Sequence, residues 1–488
     1  MSTDSLVLVA NRLPWLRGPD GGWRSSPGGL IGALHPIAHR RPTTWVGLSA
    51  AADGVTIHGD DSSGDGQQQD PWPCACGCVE VRVHSEAAES HYNGVCNAAL
   101  WPTYHDAVIP SEYSGENWSS HEIVTRAFAD AVASHAAPGA VVWIHDYQLQ
   151  LLPKPLRQQR PDLAIGFFLH IPFPPPEIFM RLPWRQAIVD GLRHAHVIGF
   201  QTAQCLGNFR RVLSMTADAD LPWSPELQPR LVVAPVSIDT ARLAAAAGAQ
   251  STVFAAQQLR KQLGDPKVLL LGVDRLDYTK GLVQKVRAVQ SLLADGSVDS
   301  SQVIFLQIAS STRVGNVMYR QEAERMSRAF GAAIGATSTA AHTPIRLITQ
   351  AIESDSLTHY FAAADAILVT PLRDGMNLVA KEYVTVKSGL RNAGQLHAGA
   401  LVLSEFAGAA YDLIDAYLVN PYSIDTLREG MMHAVHDPLI ERQRRLDSLA
   451  ATVANHTTFD WADGFLATLS KAAQRQVIEL RPRARRVA

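Results

Sequence analysis

Short apolar runs recur along the chain, each ending in polar residues and followed by a stretch with helical spacing. Residues 5–10 (SLVLVA) run into Asn11-Arg12, and 141–144 (VVWI) into His145-Asp146. Residues 165–169 (IGFFL) run into His170, and 268–272 (VLLLG) into Asp274-Arg275. Residues 303–308 (VIFLQI) lead to Arg313, 366–370 (AILVT) to Arg373-Asp374-Gly375, and 400–403 (ALVL) to Ser404-Glu405. Near-continuous apolar strands belong to sheets covered on both faces, which predicts a parallel α/β fold. Polar residues directly after such strands lie at their carboxyl ends, where open α/β sheets bind ligands.

The alternation weakens over 214–267, which holds Leu221-Pro222-Trp223, a strand-like 230–233 and an alanine-rich helical run from Thr240. A boundary near Pro235 therefore separates two α/β domains. Residues 52–73 carry Gly, Ser, Asp and Gln without periodicity and read as a loop, and the basic tail 481–488 reads as a solvated terminus.

The length of 488 residues suits two large domains or three smaller ones. Apolar residues at 47% and charged residues at 18% exclude disorder as the overall state. A formal net charge of −3 gives no support for a nucleic-acid partner. The N-terminus lacks the basic flank and long apolar core of a signal peptide, and no apolar run is long enough to cross a membrane. Five cysteines are too few and too scattered for a disulfide framework, which points to a reducing cytoplasm.

Four constellations could carry chemistry. Arg275 and Lys280 (VDRLDYTKG) put two cations at the mouth of a sheet, suited to a diphosphate leaving group; the plainer reading is a salt-bridged surface pair. In TPLRDGMNLVAKE a tight loop precedes a helix starting near Leu378, so its amide groups make an anion site, and Glu382 can accept from sugar hydroxyls. Alternatively, Asp374 and Asn377 are only turn and N-cap residues. His145-Asp146-Tyr147 and His170 both follow buried strands and could enter one crevice, although a lone histidine there is often structural. Arg12 is followed by Gly28-Gly29, whose backbone can approach a ligand closely or simply turn into a helix.

Metal signals are weak. Cys74, Cys76 and Cys78 lack a second pair at zinc spacing. His194 and His196 could share a strand face but lack a third ligand, and Asp218-Ala219-Asp220 sits in a polar loop.

Taken together, these segments resemble the trehalose-6-phosphate synthases, retaining glycosyltransferases of family 20 with the GT-B fold. The matching stretches are ANRLP at 10–14, NAALWPTYH at 97–105, WIHDYQL at 143–149, IGFFLHIPFP at 165–174, GFQT at 199–202, VDRLDYTKG at 273–281, TPLRDGMNLVAKEY at 370–383 and LSEFAGA at 403–409. The resemblance implies two Rossmann-like domains with a parallel sheet each and the active site in the cleft between them. Their expected extents are 1–235 for the acceptor and 236–455 for the nucleotide-sugar, with a helix at 456–480 packing back on the first domain.

It also implies transfer of glucose from a nucleoside-diphosphate-glucose (GDP-, ADP- or UDP-glucose) to glucose-6-phosphate. Arg275 and Lys280 would hold the donor diphosphate. Asp374 and the backbone of Gly375, Met376 and Asn377 would contact the donor sugar, Leu378 and Val379 the phosphate, Glu382 the ribose and His170 the transferred glucose. Gly28 and Gly29 match a glycine loop closing near the donor; Arg12, Tyr92, Trp101, Asp146 and Arg313 match the acceptor pocket. In the family the acceptor hydroxyl attacks from the face the diphosphate leaves, and a diphosphate oxygen takes its proton. Basic side chains then replace a metal ion, so no metal and no cofactor is implied; a homo-oligomer is compatible.

Two features depart from the family. Family members using UDP-glucose commonly carry His after an Asn-Gln pair near the nucleobase, where this chain has Thr349-Gln350-Ala351. Residues 331–342 (GAAIGATSTAAH) read as a loop unlike the family's Gly-Lys-Tyr-Gly segment. The rival readings are a related synthase with another acceptor, such as a glucosylglycerol-phosphate type, a non-catalytic regulatory relative, and a metal-dependent transferase using Asp218 and Asp220.

Overall fold

The computed structural model describes residues 5–17, 23–26, 28–48, 76–109, 111, 113–216, 228–311, 316–394 and 399–480. The chain divides into two compact units, Met1–Val236 with Thr458–Ala488, and Ser237–Thr457.

The first unit carries β1 (Leu6–Arg12), β2 (Trp15–Arg17), β3 (Trp23–Ser25), β4 (Thr43–Leu48), β5 (Gly77–Val81), β6 (Val141–His145), β7 (Ala164–Leu169), β8 (Val197–Phe200) and β9 (Arg230–Val233). β2 and β3 form a small antiparallel pair. The others form a parallel sheet in the order β5-β4-β1-β6-β7-β8-β9. Every residue of β6, β7 and β8 is buried, as expected where helices cover both faces. The strand order reverses between β1 and β6, so Arg12 and Asp146 leave the sheet at its switch point.

The helix Thr458–Leu480 belongs to this unit. Its Phe465 ring stacks on Trp143 with centroids 4.8 Å apart, and Trp461 lies equally close to Trp143. Two glycines of the sheet make room for it. A Cβ on Gly166 would come 2.8 Å from Leu469 and 2.9 Å from Phe465, and one on Gly199 would come 2.8 Å from Phe465.

The second unit carries β10 (Val268–Arg275), β11 (Val303–Ser310), β12 (Ile345–Ile348), β13 (Ala366–Val369), β14 (Ala400–Ser404) and β15 (Tyr417–Val419). All run parallel in the order β12-β11-β10-β13-β14-β15. Counted within the sheet, this is the dinucleotide-binding order, reversing between β10 and β13. One charge interrupts the apolar β10. Asp274 accepts from Lys285 Nζ at 2.6 Å and from Gln307 Nε2 at 3.1 Å, and the Lys285 and Asp274 side chains are 0% and 1% exposed. Removing one member of such a buried pair costs about 3–5 kcal/mol, so the pair fixes the strand end from which Arg275 projects.

All seven apolar runs are strands. Run length alone misses β4, whose TTWVGL mixes polar and aromatic residues, β12 (IRLI) and the three-residue β15. Three expectations need correction. Residues 331–337 are not loop but the end of the helix Val317–Thr337, whose buried Tyr319, Glu322, Met326, Phe330 and Ala333 follow a helical stripe. Gly331 and Gly335 face open space and cost the helix only propensity. His194 and His196 share no strand: His194 caps the helix Arg185–Arg193, and His196 precedes β8. Cys76 is disulfide-bonded, whereas Cys78, Cys96 and Cys205 are free thiols. Residues 52–73, Cys74, 218–223 and 481–488 lie outside the described residues. Among the described residues no helix is long and apolar enough to cross a membrane.

Candidate active site

In the second unit, chemistry gathers where the sheet order reverses. β10 ends at Arg275, and a 3-10 turn, Tyr278–Lys280, follows. The turn is braced from within, because Asp277 Oδ1 accepts from the amide and the hydroxyl of Thr279, and Asp277 Oδ2 from Tyr319. Gly281 then takes φ 64°, and a Cβ there would come 2.5 Å from the Thr370 carbonyl. Only glycine combines that backbone with that approach. The result aims Lys280 at the loop after β13, where its Nζ donates to Asp374 Oδ2 at 2.5 Å. Both side chains are largely buried, at 11% and 15% exposed, so this is no surface pair.

Asp374 Oδ2 also accepts from Asn377 Nδ2 at 3.0 Å, while Asn377 Oδ1 accepts from the Ala380 amide. Asn377 is thus both N-cap and anchor, at φ 79°, a left-handed conformation that asparagine tolerates better than most residues. It opens the helix Leu378–Asn392. The first-turn amides of Leu378 and Val379 have no intrahelical acceptor and give the helix end an anion-binding character. The loop is held from below, since Gly408 N donates to Asp374 O and Ala409 N to Met376 O. A Cβ on Gly408 would lie 1.9 Å from the Gly375 carbonyl, so that contact requires glycine. Sequence reasoning missed Gly408, although it lies in LSEFAGA, four residues past the end of β14. Glu382 is half-buried one turn into the helix; poor solvation pushes its carboxyl up to about 7 despite the charge of Arg242.

In the first unit the reversal point holds an aromatic and charged cluster. The Arg12 guanidinium lies over the Tyr92 ring, 4.7 Å from its centroid. Tyr92 belongs to a π-helix, Ser90–Leu100. From the same segment Asn97 Oδ1 accepts from Tyr147, the residue after Asp146, and Tyr147 packs against Trp101 with centroids 5.7 Å apart. Trp101 is buried at 4% exposed. Asp146 has φ 75° and ψ 169°, a region nearly reserved for glycine. Its Oδ1 accepts from the His170 amide at 3.1 Å. The rings of His145 and His170 are bonded, Nδ1 to Nε2, at 3.0 Å. Burial lowers His170 to about 3, and His145 is lowered as well, so both are neutral at pH 7 and act as hydrogen-bonding groups.

The structure thus gathers Arg12, Tyr92, Trp101, Asp146 and His170 in the first unit, and Arg275, Lys280, Asp374–Asn377, Leu378, Val379 and Glu382 in the second. Gly28 caps the helix Gly29–Arg40 at φ 135°, and both glycines are exposed. Arg313 lies outside the described residues.

A sheet in dinucleotide-binding order, with cations and a helix N-terminus at its reversal, suits a nucleoside diphosphate. Joined in one chain to a second parallel-sheet unit, it has the architecture of the GT-B glycosyltransferases. The chain belongs to glycosyltransferase family 20, whose model matches residues 5–471. It is 40% identical to the trehalose-6-phosphate synthase of Mycolicibacterium smegmatis, over 97% of this chain and 93% of that protein. Among solved structures it is similar to an α,α-trehalose-phosphate synthase (UDP-forming) from Burkholderia xenovorans in complex with glucose-6-phosphate. That match has a TM-score of 0.84 and 30% identity, covering 95% of this chain and 100% of the other. A trehalose-6-phosphate synthase structure from E. coli, bound with UDP-2-fluoro glucose, matches with a TM-score of 0.82 and 28% identity over 96% and 99% of the two chains.

Proposed function

We propose that this protein transfers glucose, with retention, from a nucleoside-diphosphate-glucose to glucose-6-phosphate, giving α,α-trehalose-6-phosphate, the first step of trehalose biosynthesis. The observation that carries the reading is the Lys280–Asp374–Asn377 cluster at the start of the helix Leu378–Asn392, in a chain of this family. The second unit takes the donor. Arg275 and Lys280 hold its diphosphate, Leu378 and Val379 present amides to phosphate, Asp374 with Gly375, Met376 and Asn377 holds the sugar, and Glu382 holds the ribose. The first unit takes the acceptor through Arg12, Tyr92, Trp101 and Asp146, joined by Arg313. His170 hydrogen-bonds the transferred glucose, and Gly28 and Gly29 close near the donor.

The chemistry follows from charge. As the bond from glucose to the diphosphate breaks, negative charge grows on the leaving group, where fixed cations stabilise it. The acceptor hydroxyl attacks on the same face, and a diphosphate oxygen takes its proton. Two basic side chains supply the positive charge, so the transfer step calls for no metal. A regulatory, non-catalytic role fits poorly with this complete set of charges. Phosphorylated substrates, which do not cross membranes unaided, support a cytoplasmic location.

The test is product formation from glucose-6-phosphate with UDP-, ADP- and GDP-glucose side by side, with and without EDTA, and with glycerol-3-phosphate as a second acceptor. Failure to form trehalose-6-phosphate from any donor overturns the reading. Ala351 is exposed just after β12, and if it lines the base slot, as its position in the family pattern implies, it offers more room there than an imidazole. A purine donor is therefore expected to serve at least as well as UDP-glucose, with GDP-glucose slightly ahead. A clear preference for UDP in competition with free ADP and GDP would sink this, and Ala351→His should move selectivity toward UDP.

Glu382 gives the donor step a pH dependence. Ribose hydroxyls donate best to the carboxylate, so nucleotide affinity should fall as pH drops below about 7, and binding near neutral pH should release protons. The raised pKa also means that the charged form costs stability above pH 7, a cost absent below the ordinary carboxyl range. Glu382→Gln should flatten the affinity profile and stabilise the fold at pH 8 more than at pH 5. Calorimetry of nucleotide binding in two buffers of different ionisation enthalpy reads the proton; an identical heat in both contradicts the assignment.

A further inference from the structure

Beneath the Arg12–Tyr92 pair lies a cluster that the transfer chemistry does not use. One ring nitrogen each of His91 and His121 and the Cys96 sulfur lie within 4.8 Å of one another. The three residues are 0%, 1% and 0% exposed. His91 and Cys96 are five residues apart. In an α-helix that spacing would set them about 140° apart around the axis. In the π-helix Ser90–Leu100 the backbone bonds close from i to i+5, which brings the two side chains onto one face; His91 Nε2 lies 3.8 Å from Cys96 Sγ. His121 comes from the neighbouring helix Gly115–His135, its ring stacked on His91 with centroids 4.7 Å apart. Asn11 Oδ1, at the end of β1, is 3.0 Å from His91 Nε2.

A purely structural stack does not account for the atoms. Trp118 packs on His121 and Trp184 on Trp118, so this is an apolar aromatic column in which phenylalanine would serve. Instead His91 Nδ1 and His121 Nδ1 are buried without a hydrogen-bond partner among the described residues. A buried polar atom left without a partner is destabilising. Two imidazoles and a thiol gathered where water is excluded match a transition-metal ligand set.

We infer that His91, Cys96 and His121 form a buried binding site for a borderline-soft divalent metal ion, zinc in the first place. On binding, the Cys96 thiol gives its proton to solvent and its sulfur becomes the thiolate ligand. Each imidazole donates a nitrogen lone pair, and no electrons change hands. The rings must turn out of their near-parallel stack for both lone pairs to meet one ion. The fourth position falls to Asn11 Oδ1, already 3.0 Å from His91 Nε2. Because Asn11 precedes Arg12 and His91 precedes Tyr92, the ion ties together the strand end and the helix that carry that pair. It is a strut and takes no part in glucose transfer.

The test strips the whole protein with a strong chelator and titrates it with Co²⁺ and then Zn²⁺. One equivalent of Co²⁺ should give a thiolate-to-cobalt charge-transfer band and the intense d–d bands of a tetrahedral site. Zn²⁺ should bleach both and raise the thermal midpoint. Cys96→Ser should abolish the charge-transfer band, and His121→Phe, which keeps the stack, should weaken cobalt binding at least tenfold. Cys78→Ser and Cys205→Ser, at the other free thiols, should leave the spectrum unchanged and keep the test decisive if the first two variants do not fold. Absence of a thiolate–cobalt band in the folded protein, or its loss in Cys78→Ser or Cys205→Ser, overturns the site. These readouts do not depend on transferase activity, so they stand or fall apart from the proposed reaction.

Discussion

Lys280→Ala should lower turnover about a hundred-fold while the protein stays folded. The Lys280 ammonium has three donors, and Asp374 occupies one at 2.5 Å, leaving two for diphosphate oxygens. The ion pair pre-positions the cation, so little reorganisation is needed as the leaving group gains charge. Losing one such contact costs roughly 3 kcal/mol of barrier, which is about two powers of ten in rate. Asp374 keeps its bond from Asn377, which limits the damage to the loop. Arg275→Ala should act in the same direction. Steady-state kcat read beside far-UV circular dichroism decides the matter, and near-wild-type turnover in either variant removes the leaving-group role.

Arg12→Ala should raise KM for glucose-6-phosphate ten-fold or more and leave the donor KM nearly unchanged. Stacking over Tyr92 holds the guanidinium in place before a phosphate arrives. A charge-assisted contact of this kind contributes roughly 1.5–3 kcal/mol, the equivalent of about 10- to 150-fold in affinity. Arg313→Ala should show the same asymmetry, and Trp101→Ala a smaller loss through lost apolar packing against the hexose. Equal effects on the two substrates would show that Arg12 does not bind the acceptor phosphate.

The parts of this molecule that could be read from its residues share one physical property. Arg12, Asp146, His170, Arg275 and Asp374 each lie at or just after a long buried strand, so an apolar run announces them. What could not be read depends on contacts across the sheet or on unusual backbone. Lys280 and Asp374 are 94 positions apart and meet only because β10 and β13 are neighbours. Asp146 occupies a backbone region that its side chain gives no reason to expect. The π-helix is equally silent, because an i, i+5 pair carries no ordinary periodicity, and so His91 and Cys96 pass unnoticed in the sequence.

The helix Thr458–Leu480 imposes an order on how the protein is made. Trp461 and Phe465 complete the first unit's core against Trp143 and the two sheet glycines, yet they are synthesised after all of Ser237–Thr457. The second unit is one continuous stretch and can close as soon as it leaves the ribosome. The first unit must wait with an open face on its sheet for the time the second takes to be translated, roughly 10–40 s at about 5–20 residues per second. The half of the chain that starts first therefore finishes last, and its uncovered aromatic face is the surface a chaperone would have to shield during that interval.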